Sequence, residues 1–177
     1  MKTFALLALC LAAASAGPAF ATPLEHYAAK KANLVGESRL TWLVWDVYDA
    51  ALYTSGARFN PSTPFMLELT YLRPLDGASV ANKTIEEMQR FGHRNATQTA
   101  RWKTLMTRWF ADIDRNTKLA AMRNTDGSTT FIRDGKTVLG TVAEPEFGRL
   151  FFDIWLSERT LRPDLRAELL GLSKRSM

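Results

Sequence analysis

Two Asp-Gly pairs, Asp126-Gly127 and Asp134-Gly135, constrain the fold of this chain more than any other feature. Aspartate and glycine tolerate the positive φ angles of tight turns, so an Asp-Gly pair between two apolar or β-branched runs indicates a β-hairpin. Such runs lie before, between and after the pairs, as TKLAAMRN, STTFIR and KTVLGTV. The sequence therefore predicts three successive antiparallel strands, and hence an antiparallel sheet.

Further strands and helices surround this meander. Residues 34–54 are rich in aromatic and β-branched side chains and predict one long strand or two consecutive strands, and residues 65–72 predict another. Helical periodicity predicts four helices, over about 79–91, over 96–110, from Pro145 onward and from Pro163 to Leu170. Asp76 or Ser79 is the expected cap of the first helix. The order β-β-β-α-α-β-β-β-α-α predicts an α+β fold with helices covering one face of a sheet.

The first 21 residues have the three regions of a cleaved signal peptide. Lys2 provides the positive charge at the start, and Ala19-Phe20-Ala21 matches a cleavage site. Residues 4–16 form an apolar run that is shorter than a typical membrane-spanning helix. We therefore expect cleavage after Ala21 and export to the periplasm, with no membrane-spanning segment left in the mature chain.

Cleavage would leave residues 22–177, a length that suits one domain. It would also remove Cys10, the single cysteine, and with it any disulfide or thiolate metal site. The two histidines, His26 and His93, are far apart and lack a neighbouring acidic cluster, so no metal site and no other cofactor is predicted. The net charge of +5 is scattered rather than concentrated in a stripe, and this argues against nucleic-acid binding.

Six segments, taken together and in order, resemble the chalcone-isomerase-like superfamily and specifically its exported bacterial branch. They are VYDAALY (47–53), FMLELTYLRPLDG (65–77), TIEEM (84–88), DGKTVLGTV (134–142), PEFGRLFFDIWL (145–156) and PDLRAELLG (163–171). The resemblance implies a curved antiparallel sheet with helices packed on one face, an open-faced β-sandwich with a cleft between the layers. In the plant enzymes of the superfamily that cleft closes a flavanone ring, and in fatty-acid-binding relatives it holds an acyl chain.

The resemblance also implies that the isomerase residues have been replaced. The PLDG stretch at 74–77 is similar to the turn that precedes the catalytic Tyr of the enzymes, but the Tyr position is Val80 and the later Asn position is Glu87. The position of a further Thr is Leu43, although Thr41 lies close by. Cyclisation needs groups that orient the substrate and stabilise an oxyanion, and valine supplies neither. We therefore expect that the chain is not an isomerase.

Four residues are candidates for ligand binding: Arg39, Tyr71, Glu87 and Trp102. Gly36-Glu-Ser-Arg39 is similar to a Gly-x-x-Arg approach in the enzymes, and a guanidinium at Arg39 would pair with the carboxylate of a ligand. Trp102 belongs to the aromatic face of helix 96–110, which would contact an acyl tail or simply pack in the core. Glu87 either faces the cleft or lies with Glu86 on a solvated helix face.

Three functional hypotheses follow from these residues. The first is a non-catalytic protein that binds a fatty acid or similar hydrophobic carboxylate between sheet and helices. The second is an enzyme with altered chemistry that uses Glu87 or Tyr71 as an acid–base group. The third is a structural or interaction module whose cleft is filled by its own side chains. A raised pKa at a buried Glu87 would favour the second. An Arg39 side chain aimed into a cleft with open volume would favour the first, and a closed, fully packed interior would favour the third.

Overall fold

A computed structural model describes residues 33–54, 56 and 58–172. Six strands form one sheet: β1 (Leu34–Trp42), β2 (Trp45–Thr54), β3 (Phe65–Tyr71), β4 (Lys118–Arg123), β5 (Thr129–Arg133) and β6 (Thr137–Val142). Four helices are described: α1 (Gly77–Arg90), α2 (Ala96–Trp109), α3 (Pro145–Leu156) and α4 (Pro163–Leu169). The predicted signal peptide with its cleavage site, Cys10 and His26 lie outside the described residues.

The strands lie in the sheet in chain order, and every neighbouring pair is antiparallel. Residues 34–54 form two strands, because the chain turns at Leu43 and Val44 and brings Trp42 opposite Trp45. The three predicted strands of the meander correspond to β4, β5 and β6, and the turn residues Gly127 and Asp134 have φ angles of 84° and 51°. The predicted element order and the α+β class are confirmed.

Local capping explains where the middle helices begin. Asp76 is the N-cap of α1, since its Oδ2 accepts a hydrogen bond from the backbone N–H of Ser79 at 2.8 Å. Asn95 caps α2 in the same way, with its Oδ1 3.0 Å from the backbone nitrogen of Gln98. Gly92 separates the two helices at a φ of 104°, a left-handed conformation that glycine adopts without steric cost.

The main core lies between one face of the sheet and the helices. Alternate residues of β3 point to this face, namely Phe65, Leu67, Leu69 and Tyr71, and they pack with apolar residues of all four helices. The opposite face of the sheet carries a smaller buried cluster formed by Tyr53, Met66, Ala120, Met122 and Ile132, with Glu68 also buried on β3. Period-two alternation in β3 thus separates a helix-covered face from a second, more polar one.

Two glycines lie where helical segments approach the chain too closely for a side chain. A Cβ atom on Gly77 would overlap the carbonyl oxygen of Phe110, which follows α2. A Cβ atom on Gly36 of β1 would overlap the carbonyl oxygen of Glu168 in α4. Gly77 therefore holds α1 against the end of α2, and Gly36 holds β1 against α4.

Candidate functional site

A cavity of about 550 Å³ lies between the sheet and the helices. Its volume falls within the range of about 300–1,000 Å³ typical of small-molecule sites. Apolar side chains from both layers form most of its wall, among them Leu67, Leu69, Leu119 and Phe131 from the sheet and Val80, Phe151, Ile154 and Trp155 from the helices. We define its rim as the exposed lining residues Trp42, Asp76, Ser79, Lys83 and Leu161 with the half-buried Arg162. An apolar cavity with charged groups at its rim suits an amphipathic ligand.

A second depression, of about 630 Å³, has a different chemical character. Five charged side chains line it, namely Arg123, Glu146, Arg149, Asp153 and Arg166. Two of them already interact, since Arg149 Nη1 lies 3.4 Å from Asp153 Oδ2. The cavity between the layers is therefore the better candidate for an apolar ligand.

Two tyrosines supply hydroxyl groups to the wall of the cavity. Tyr48 of β2 and Tyr71 of β3 pack edge to face with their ring centroids 5.9 Å apart, and the indole Nε1 of Trp155 donates a hydrogen bond to Tyr48 Oη at 2.9 Å. Burial raises the pKa of Tyr48 to about 12 and raises the pKa of Tyr71 as well. Both phenols therefore remain protonated near neutral pH and can donate hydrogen bonds to a ligand.

Each cation at the rim has an acidic partner. Arg162 donates to both carboxylate oxygens of Asp164, at 3.1 Å from Nε and 2.8 Å from Nη2. This hydrogen bonding holds the pKa of Asp164 down at about 2. Lys83 Nζ lies 3.2 Å from oxygens of both Glu86 and Glu87. A ligand anion would therefore have to share Arg162 or Lys83 with the protein carboxylates that already pair with them.

Glu87 lies in the cavity lining but is not poised as a base. Burial raises its pKa, but hydrogen bonds from Arg90 and Lys83 outweigh that effect, so its pKa lies below the ordinary value. Arg90 Nε is 2.7 Å from Glu87 Oε2. The carboxylate is thus a half-buried ion-pair partner on α1, whereas Glu86 is exposed.

Arg39 lies outside the cavity lining, on the other side of β1. Its neighbour Leu40 lines the cavity, and adjacent residues of a strand point to opposite faces. The guanidinium is engaged by Asp49, at 2.6 and 3.0 Å, and by Asp46 at 3.1 Å, and the side chain is 52% exposed. The structure therefore brings Tyr71 and Glu87 to the cavity but not Arg39, which has two protein carboxylates in place of a ligand head group.

Trp102 is a core residue rather than part of the cavity lining. It is fully buried, stacks on His93 with ring centroids 4.6 Å apart and meets the edge of Phe147. The predicted apolar face of α2, with Trp102, Met106 and Trp109, is thus used for packing. The tail of a ligand would instead contact Val80, Phe151 and Trp155.

Sequence reasoning did not select Tyr48, Trp155 and Arg162. The strand alternation of VYDAALY places Tyr48 on the same face as Ala50 and Leu52, and this signal was present in the sequence. Arg162 precedes α4 in the chain and reaches the rim only through the packing of α4 beside β1 and β2. No local pattern marks it.

Metal-binding clusters and membrane-spanning helices are both absent from the described residues. The described part of the chain contains no cluster of three or more histidine, cysteine or acidic side chains arranged to hold a metal ion. Among the same residues, none of the helices is both long enough and apolar enough to cross a membrane.

Comparison with known proteins places this geometry in context. A family model described as chalcone isomerase-like matches residues 26–171. A Haemophilus influenzae protein described as uncharacterized is 26% identical over 155 residues, which cover 87% of this chain and 73% of that protein. The crystal structure of the Arabidopsis thaliana fatty-acid binding protein AtFAP1 matches with a TM-score of 0.63 and 16% identity, over 78% of this chain and 86% of that chain. The last match shows a common fold.

Proposed function

Because this chain belongs to the chalcone isomerase-like family, we propose that it is a non-catalytic binding protein for a fatty acid or a similar hydrophobic carboxylate. The observation that carries the proposal is the apolar cavity of about 550 Å³ between sheet and helices. An acyl chain gains free energy on leaving water for such a wall, at about 0.8 kcal/mol for each buried methylene group. The name of AtFAP1, a protein of the same fold that is described as fatty-acid binding, supports this ligand class.

We assign the carboxylate head group to the end of the cavity where Tyr48 and Arg162 lie. The phenol of Tyr48 accepts a hydrogen bond from Trp155, which leaves its own proton to be donated. The charge of Arg162 acts on the Tyr48 phenol and also attracts an anion. Since Arg162 pairs with the exposed Asp164, a ligand carboxylate has to compete for the guanidinium with a partner that is largely solvated.

The other two hypotheses receive less support. Val80 lies in the cavity wall and has no proton to transfer, and the pKa of Glu87 is lowered rather than raised. Burial raises the pKa of Tyr71, which makes its phenol a poor base and a poor acid near neutral pH, so an acid–base role for Glu87 or Tyr71 receives little support. A filled interior would leave no volume between the layers, whereas this cavity is open. The periplasm is our proposed location, which the signal-peptide pattern of residues 1–21 supports.

Native mass spectrometry of the protein purified from the periplasm tests the proposal. We expect the wild type to carry adducts of fatty-acid mass, or to acquire them when mixed with palmitate. Val80→Trp places an indole in the cavity and should abolish the adduct while the fold persists, as checked by circular dichroism. Arg162→Ala and Tyr48→Phe should each weaken the affinity for palmitate by about ten-fold, because each removes a hydrogen bond to the charged head group.

Arg39→Ala is the matched control, since it removes an exposed, acid-paired arginine that lies outside the cavity lining. Its adduct should equal that of the wild type. Loss of the adduct in Arg39→Ala, with retention in Arg162→Ala, would transfer the head-group role to Arg39. A wild type that stays bare with palmitate and other fatty acids would overturn the proposed function.

A further inference from the structure

The turn between β1 and β2 exposes four consecutive large apolar side chains. The exposed fractions are 67% for Trp42, 83% for Leu43, 82% for Val44 and 59% for Trp45. We call these four residues the hairpin tip. Folded proteins bury such residues where they can, and a contiguous exposed group marks a site of interaction.

The backbone of the hairpin tip is also unfavourable for its sequence. Leu43 has a φ of 55°, in the left-handed region that asparagine and glycine adopt readily and that a leucine adopts at a cost. Asparagine or glycine at this position would make a more stable hairpin. A leucine that is both strained and exposed does not stabilise the fold. We therefore infer that its side chain contacts something other than this domain.

We propose that the hairpin tip inserts into the interfacial layer of a lipid bilayer. Tryptophan favours the level of the lipid head groups, where its ring is buried and its N–H stays hydrated, and Leu43 and Val44 at the apex would reach the acyl region between the two indoles. The two aliphatic residues lie at the end of the turn and the two indoles lie on either side of it. This order matches the change in a membrane from polar head groups to apolar acyl chains.

The charges around the hairpin tip fit phosphate head groups. The guanidinium of Arg73 lies 5.1 Å from the ring centroid of Trp45, and among the described residues no carboxylate lies within ion-pair distance of it. A guanidinium forms paired hydrogen bonds with phosphate. Two carboxylates near the tip would repel phosphate, those of Asp46 and Asp49. They share the guanidinium of Arg39, at 3.1 Å and at 2.6 and 3.0 Å, and Asp46 also accepts a hydrogen bond from Thr41 at 2.7 Å, so part of their charge is offset.

A second copy of the chain fits the hairpin tip less well than a membrane does. A stable protein interface needs about 20–30 residues on each side, whereas the tip offers four. Two tips packed together would also bring the Arg73 guanidinium groups of both copies, which have no ion-pair partner among the described residues, near each other. Insertion into a bilayer needs neither a large surface nor a complementary shape.

The hairpin tip is continuous with the rim of the cavity. Trp42 belongs to both, and Leu161 at the rim is 64% exposed. A tip seated in a bilayer would therefore bring the cavity entrance to the membrane surface, and an acyl chain could pass between them with little contact with water. This transfer route rests on the proposed function, whereas membrane binding by the tip does not.

Vesicle flotation tests membrane binding apart from ligand binding. The protein, freed of lipid, is mixed with vesicles of phosphatidylethanolamine and phosphatidylglycerol or with vesicles of phosphatidylcholine alone. We expect the wild type to float with both and more with the anionic vesicles. Leu43→Asn/Val44→Ser should lower the partition coefficient about ten-fold or more, because it removes the two apex side chains from the apolar layer. Arg73→Gln should reduce binding to both kinds of vesicle, because both present phosphate groups, and the reduction should be larger for the anionic vesicles.

Val138→Gln is the matched control, since Val138 is a 41% exposed apolar residue on β6, the opposite edge of the sheet. It should float as the wild type does. The double variant should keep or raise the melting temperature, because asparagine suits the backbone at position 43. Three outcomes would each overturn the proposal. The wild type and the double variant could float equally, or the wild type could fail to float. The protein could also form a dimer that the double variant abolishes, without any vesicle binding. Failure of palmitate binding in the earlier experiment would leave this result unaffected.

Discussion

Val80 is one of the positions where, by the family resemblance, this chain departs from the catalytic residues of the enzymes. It follows the PLDG turn, lines the cavity and lies on a helix whose cap and packing are intact. Because a valine side chain neither donates nor accepts a hydrogen bond, the cavity wall offers no polar side-chain group at this point. Other side chains of the lining do carry hydroxyl groups, namely Tyr48 and Tyr71 on strands and Ser79, Thr84 and Thr160 elsewhere.

Asp164 should weaken ligand binding because it competes for Arg162. Its substitution Asp164→Asn removes the competing charge, and exposed ion pairs contribute about 0.2–1 kcal/mol, so we expect palmitate affinity to rise by up to about five-fold. Isothermal titration of the two proteins with palmitate checks this. Decanol, which carries no charge, is the control ligand and should bind both alike. A weaker affinity of Asp164→Asn for palmitate would mean that Asp164 positions the guanidinium rather than competes for it.

The buried phenols should make the protein sensitive to alkali. Burial raises the pKa of Tyr48 to about 12 and also raises that of Tyr71, so the folded state holds these protons more tightly than the unfolded state does. The resulting stabilisation is complete below the unfolded value of about 10 and disappears as the pH rises toward 12, with a loss on the order of 2 kcal/mol for Tyr48. Urea unfolding at pH 9, 10 and 11 measures it. Tyr71→Phe should show a shallower fall, and an unchanged slope would contradict the assignment.

At the scale of elements, the close contacts of α1 with the end of α2 and of β1 with α4 depend on Gly77 and Gly36. Both glycines belong to segments that resemble the family. Gly77→Ala should destabilise the protein by about 1–3 kcal/mol or more, because the new methyl group would overlap the Phe110 carbonyl and a backbone atom cannot move aside as a side chain can. Gly56→Ala is the control, since its Cβ would stand 3.6 Å from the nearest atom, an ordinary contact. Thermal unfolding of both variants measures the difference. Equal melting temperatures would refute the close approach of α1 and α2.

The elements themselves could be predicted because their signals are local. Period-two alternation marked β3, Asp-Gly pairs marked the meander, and Asp76 marked the start of α1. The site could not be predicted so fully, because it depends on which way a strand faces. Arg39 lies directly opposite Asp49 in the β1–β2 register, and a shift of one residue along a strand moves a side chain to the other face of the sheet.

Trp102 illustrates a second limit on such prediction. Its helix has a recognisable apolar face, but periodicity does not say whether that face meets a cavity or other side chains. In the structure it meets His93 and Phe147. Arg162 shows the converse, because a residue in a short connection gains a site role from tertiary packing that no local pattern encodes.

At the scale of the whole molecule, an open cavity means that a ligand bound there would contribute to stability. A ligand that binds the folded state alone adds about 2.7 kcal/mol at a concentration of 100 times its dissociation constant. For a domain of this size we therefore expect palmitate to raise the melting temperature of delipidated protein by about 5–10 °C. Differential scanning calorimetry measures this shift. Val80→Trp should melt at the same temperature with and without palmitate, and an equal shift in both proteins would place the ligand elsewhere.

The arrangement of the strands in chain order also sets the sequence in which the sheet can assemble. The β1–β2 hairpin and the β4–β5–β6 meander close through short turns, whereas β3 and β4, paired from Phe65 and Arg123 onward, are separated in the chain by α1 and α2. Loop-closure entropy grows with the length of the intervening chain, so we expect the two halves to form before they join. We therefore expect pairing of β3 with β4 to be the slow step of folding. Until it closes, each half presents an unpaired strand edge that can pair with another molecule.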